Sequence, residues 1–263
     1  MPVALNPITA RLHFPDSPLP VLPGGSSRPG VGLDSLFRDG FEPAPTTASV
    51  GATTAAELSK QRQQLKALSD FLKADAFVHE GPLRGFSHAY HNTIEGHLKQ
   101  LDNAEFEDPA VINAFAIDFA NRYRRNIEAL RARDAGDFSA RPDAHWDYAW
   151  NRGGQLDYVP FLPEYMIESG QILLGKTAHI DYDLKLALSE ALQYKINRDG
   201  LAASPPRSLE KDFLTAEAHF ETTTDQTAEE MGIPDLIAGI GSTVSDVPAH
   251  RRERFEEWVR ASS

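Results

Sequence analysis

The 263-residue sequence contains no cysteine. That excludes disulfides, thiolate zinc sites and cysteine nucleophiles. It also lacks any apolar run near the roughly 20 residues that a membrane helix needs, so no membrane span is expected. The N-terminus has no basic stretch followed by an apolar one, which is the mark of a secretory signal. The expected location is therefore the cytoplasm, or a site reached by export without a classical signal peptide. Positive charge is scarce: 26 Lys and Arg against 38 Asp and Glu leave a formal charge of -12. Such a balance argues against nucleic acid as a partner, because nucleic acids attract basic surfaces. Three catalytic signatures are missing as well: the Gly-x-Ser-x-Gly elbow, the dinucleotide glycine fingerprint and the phosphate loop. Gly175-Lys176-Thr177 ends like a phosphate loop but lacks the earlier glycine and lies in a helical stretch.

What is present divides the chain in two. Half of the 18 prolines lie at or before Pro45, among Gly24, Gly25, Ser26, Ser27, Gly30, Gly32 and Gly40. Neither helix nor ladder propagates far through such a segment, and it has too little apolar surface to offset ordering. Residues 1–55 therefore read as an irregular or disordered arm, and 56–263 as a single helical domain. With 41% hydrophobic residues the chain as a whole can build a real core.

Beyond the arm, the starts of helices are written in the sequence. Thr54-Ala55-Ala56-Glu57 has the spacing of a capping box, and Leu58, Leu65, Leu68, Phe71 and Leu72 follow at helical intervals. This helix should end near Lys73 or Ala74. A second is expected over about Leu83 to Gln100, with Phe86, Tyr90, Ile94, His97 and Leu98 near one stripe. Asp108-Pro109 places a cap and a first-turn proline before a long helix reaching about Arg133. Trp146 and Trp150, four apart in an aromatic helix after Pro142, read as core filler. Pro163 opens a helix running from about Glu164 to Gln193. Ser208 opens another toward Met231, Ile233 to Ile240 form a short apolar helix or turn, and Pro248 to Ala261 form the last helix. No strand-like alternation and no repeat is found, so the fold class is all-α, a multi-helix bundle.

The long helix after Pro163 carries the polar residues of most interest. At about 100° per residue, Asp181, Lys185 and Ser189 align on a water face, while Ile172, His179, Ile180, Asp183, Ala187 and Glu190 point inward. A carboxylate is rarely buried unless paired or metal-bound, so Asp183 beside His179 calls for partners from other helices. Two readings stand open: a structural pair that fixes helix register, or the core of a site. Elsewhere His88 and His91 share a helix face, without the glutamate that would make HxxH a zincin motif. Asp118 either turns inward or pairs with an arginine.

Three pieces together resemble a bacterial family catalogued as a domain of unknown function, 5995. They are Phe106-Glu107-Asp108-Pro109 with Phe119-Ala120-Asn121-Arg122-Tyr123, the Trp146 segment after Pro142, and Leu173-Leu174-Gly175 with Ala178-His179-Ile180-Asp181-Tyr182-Asp183-Leu184. The resemblance covers about residues 86–259. The family usually has Asn in place of Asp181 and Met-Asn in place of Lys176-Thr177, and a later Asp-Phe is similar to Asp212-Phe213. What the resemblance implies is a helical fold and attention to His179, Asp183 and Asp212, with no substrate.

Two function classes follow. As an enzyme, the chain would set His179 and Asp183, as catalytic residues or metal ligands, beside Asp212 or Asp118 in a site between helices. Zinc, iron or manganese would suit such ligands, and a metal-bound water would hydrolyse a small polar or phosphoester substrate. Without metal, His179 oriented by Asp183 would serve as a general base. As a non-catalytic binding or effector protein, the chain would instead engage a protein partner through its acidic surface and N-terminal arm.

Overall fold

The computed structural model describes residues 53–79, 81–230 and 247–262, and all the regular structure among them is helical. In chain order the elements are α1 (Ala55–Ala74), a π turn (Asp75–His79), α2 (Arg84–Asp102), α3 (Pro109–Asp134), α4 (Ala144–Leu156), α5 (Glu164–Ala178), a second π turn (His179–Asp183), α6 (Leu184–Asp199), α7 (Glu210–Glu230) and α8 (Val247–Ser262). The expected arm up to residue 52 and the short element at 233–240 lie outside the described residues.

Two helix starts, those of α1 and α3, have side chains that satisfy free N–H groups. Thr54 caps α1 by accepting from the Glu57 amide at 3.2 Å, while Glu57 itself accepts from the Tyr194 hydroxyl on α6. The return bond of a capping box is thereby traded for a tertiary one. Asp108 caps α3, with Pro109 in the first turn. Pro163 precedes α5, as its fixed φ allows.

The helices share one hydrophobic core. α2 packs against α1, α5 and α7; α3 packs against α1 and α6; α4 lies on α5. The approach of α2 to α5 depends on glycine from both sides. A Cβ at Gly85 would lie 2.6 Å from the Glu168 carbonyl oxygen, and one at Gly175 would run into the Phe86 ring. Close packing here brings the end of α5 over the aromatic residues of α2 and α3.

The helix expected over 164–193 is interrupted at its centre. The Leu184 amide donates to the His179 carbonyl, an i to i+5 bond that adds a residue to that turn. Phase beyond it shifts by about one residue's angle. The buried stripe of α6 is Leu184, Ala187, Leu188 and Ala191, and Glu190, expected inward, is exposed. His179, Ile180 and Asp183 are buried as expected. No described helix is long and apolar enough to cross a membrane.

Candidate functional site

The second π turn places His179 in an aromatic shell. Its imidazole lies flat on Phe119, with centroids 3.5 Å apart and planes 5° from parallel. Tyr90, Phe86, Trp146 and Tyr123 surround it at 5.0, 5.9, 5.6 and 6.4 Å. These rings come from α2, α3 and α4, so the site sits where three helices meet the turn. Burial favours the uncharged imidazole and pulls the His179 pKa below the usual histidine value, against the pull of Asp183. Nδ1 bonds Asp183 Oδ2 at 2.9 Å, and buried Nε2 has no hydrogen-bond partner among the described residues.

Asp183 is the hub. Oδ2 accepts from His179 Nδ1 and from Trp146 Nε1, both at 2.9 Å, and Oδ1 faces His145 Nε2 at 3.2 Å. Burial by itself would raise the pKa of this carboxyl, but hydrogen bonds from His145, His179 and Trp146 hold it well below the usual carboxylate range. Asp183 is thus an anion with one oxygen fastened inward and the other presented outward. The two histidines differ in access: the side chain of His179 is 3% exposed and that of His145 is 15%. His145 also stacks on half-exposed Tyr182, with centroids 4.6 Å apart and planes 10° from parallel.

Asp143 completes the outer face. It stands at the N-cap position of α4, and Asn126 holds it twice: the Asn126 amide donates to Asp143 Oδ2 at 3.0 Å, and the Asp143 backbone N–H donates to Asn126 Oδ1 at 2.6 Å. One ligand atom each from Asp143, His145 and Asp183 lie within 4.8 Å of one another.

Of the residues expected from sequence, His179 and Asp183 come together, and the other two carboxylates go elsewhere. Asp118 pairs with Arg122 at 2.6 Å, one turn along α3. Asp212 is buried at the start of α7, where its two oxygens accept from the backbone amides of Glu107 and Asp108, both at 2.8 Å. Its role there is to tie α7 to the start of α3. His91 bonds Ser69 and His88 bonds Glu230, so the HxxH pair does not converge on one ligand. Asp143 and His145, which sequence reasoning passed over, take the places intended for Asp118 and Asp212. The signal available was the run Asp143-Ala144-His145-Trp146, which sets an acid, an imidazole and an indole N–H at a single helix start.

A second buried carboxylate lies in the first π turn. Asp75 accepts from Ser87, from Tyr123 at 3.1 Å and from Arg131. The Tyr123 ring packs on Trp146 at 4.8 Å, so this cluster supports the wall of the His179 shell.

A family model described as a family of unknown function, DUF5995, matches residues 64–249, well over half of the chain and all the residues of the site. No curated protein and no solved structure matches the chain.

Proposed function

The chain belongs to the DUF5995 family, and we propose that it is a hydrolytic enzyme whose reactive centre is Asp183, with His145 on its outer side and His179 on its inner side. The observation that carries this reading is the division of labour between the two carboxylate oxygens of Asp183. Oδ2 is fixed by His179 and Trp146, while Oδ1 faces the partly exposed His145. A carboxylate that holds an accessible imidazole in place is the usual way to orient a proton-transfer or ligand group. Keeping Asp183 ionised inside a protein is costly unless it is hydrogen-bonded, and here three side chains bond it.

The space around His179 is filled by rings, which puts the reacting atoms on the His145 side. A small polar ester or phosphoester reaches that rim beside Tyr182 and Asp143. There a water adds its oxygen to the carbonyl carbon or phosphorus, the bond to the leaving oxygen breaks, and one proton of the water ends on that oxygen. His179 and Trp146 keep Asp183 aligned throughout and touch no substrate.

The test is a panel of p-nitrophenyl acetate, p-nitrophenyl phosphate and bis(p-nitrophenyl) phosphate with the wild type and His145→Gln. At least one substrate should turn over, and the substitution should slow it by about 100-fold or more, the low end of what positioned proton-transfer groups contribute. Equal rates in the two proteins, or no turnover of any substrate, would overturn the reading.

One observation favours a second reading, in which the chain is a binding protein. Between α4 and α5, Tyr158 and Phe161 are almost fully exposed, and Phe161 holds a positive φ of 63°. Exposed aromatic residues on a strained loop suit contact with a protein partner. Replacing both with serine should then alter association in solution and leave hydrolysis unchanged.

A further inference from the structure

We infer that the rim of this site binds one divalent cation through Asp143, His145 and Asp183. The inference deepens the hydrolytic reading and rests on it for its chemistry, although binding itself is measured without substrate.

Two carboxylates converge at the rim. Ligand atoms of Asp143 and Asp183 lie with one from His145 inside a 4.8 Å sphere of mutual distances. Like charges that close repel, and a positive charge between them removes the cost. Both carboxylates are also held by protein groups away from the rim. Asp183 Oδ2 takes His179 and Trp146, and Asp143 Oδ2 takes Asn126. Such outer bonds are what orient metal ligands.

An aspartate at an N-cap ordinarily accepts from the backbone N–H two or three residues on. Asp143 makes no such bond, although Asp108 at the equivalent position of α3 does. Its carboxylate is turned away from its own helix toward Asn126 and the cluster. The third ligand is set by stacking on Tyr182. To coordinate through Nε2, the His145 ring must carry its proton on Nδ1 and exchange its bond to Asp183 Oδ1 for the ion.

One imidazole and two carboxylates suit zinc, manganese or ferrous iron, and three protein ligands leave positions open for water. A cation in that place supplies a water of lowered pKa. His179 is then a positioning residue behind Asp183, which is a different role from the ligand role expected from sequence.

The experiment titrates the full chain, stripped with EDTA and dialysed, with zinc and manganese by calorimetry. Cobalt absorption reports the ligand geometry. The inference expects one ion per chain. Asp143→Asn and His145→Gln should weaken binding at least tenfold and melt near the wild-type temperature, because both side chains reach solvent. Asp102→Asn, an exposed carboxylate paired with Arg62, should bind as the wild type does. Absence of binding at about 1 mM of either ion, or equal affinity in the two rim variants, would overturn the cation site. Hydrolysis that persists in EDTA and is lost in His145→Gln would keep the hydrolytic reading without the ion. An ion that binds to a protein inert toward every substrate would do the reverse.

Discussion

His179 Nδ1 donates to Asp183 Oδ2 at 2.9 Å across the π turn, and the bond leaves Asp183 Oδ1 to His145 on α4. Two hydrogen bonds to a shared carboxylate therefore link a fully buried ring to a solvent-reaching one. Removing the inner partner should disturb the outer one.

His179→Ala should destabilise the protein by about 3 kcal/mol, because it empties a space enclosed by five rings. His179→Phe keeps the stack on Phe119 and removes only the donor, at a cost of roughly 1–2 kcal/mol. Both should lower hydrolysis at least tenfold, since Asp183 loses one of its two inner anchors. Chemical denaturation of the two variants would separate packing from hydrogen bonding, and equal stability losses would contradict the assignment.

Adjacent glycines in α4 should respond oppositely. A Cβ at Gly153 meets the Pro82 carbonyl oxygen, which is backbone and has little freedom to yield. Gly153→Ala is expected to cost about 2–3 kcal/mol through overpacking. At Gly154 the nearest atom is Pro82 Cγ at 3.5 Å, an ordinary contact. Gly154→Ala should be neutral or stabilise by up to about 1 kcal/mol, the helix propensity of alanine over glycine. Melting temperatures of the pair would decide the matter.

His97 makes stability depend on pH. Burial, with smaller contributions from His219 and Arg251, holds its pKa down at about 4, while its bond to Asn113 Oδ1 at 2.9 Å acts the other way. The unfolded chain takes up this proton near pH 6.5 and the folded one does not until about pH 4. The contribution of His97 is therefore intact above pH 6.5 and lost as pH falls toward 4. Its full size is about 3 kcal/mol at 1.36 kcal/mol per unit. His97→Gln should flatten that part of the stability profile in denaturation series at pH 7, 5.5 and 4, and an unchanged slope would rule His97 out as its source.

The fold was legible because helix starts are local. Thr54, Asp108-Pro109 and Pro163 each fix a boundary through groups within a few residues, and the structure keeps all three. The inward placement of His179 and Asp183 was legible from the same periodicity. Periodicity misled beyond Asp183, because an i to i+5 turn leaves no mark in a pattern of period 3.6, and Glu190 was given the wrong face. The partners of Asp183 were harder to read. Asp118 and Asp212 qualified by residue type, yet each found a nearer or stronger claim, Arg122 in one case and two backbone amides in the other. Trp146 did fill core, as its spacing implied, but its N–H also serves Asp183. That second task depends on a helix arriving from 37 residues away, which no local pattern encodes.

Burial in the aromatic shell keeps His179 a neutral ring, its bond to Asp183 sets the proton on Nδ1, and the other carboxylate oxygen is left to His145 at the rim. Nitrogen-15 spectra of the imidazoles at pH 7, assigned with His179→Phe, measure this directly. The account predicts a neutral His179 with Nδ1 protonated and Nε2 bare, and loss of that preference in Asp183→Asn. A charged His179, or one protonated at Nε2 alone, would contradict it.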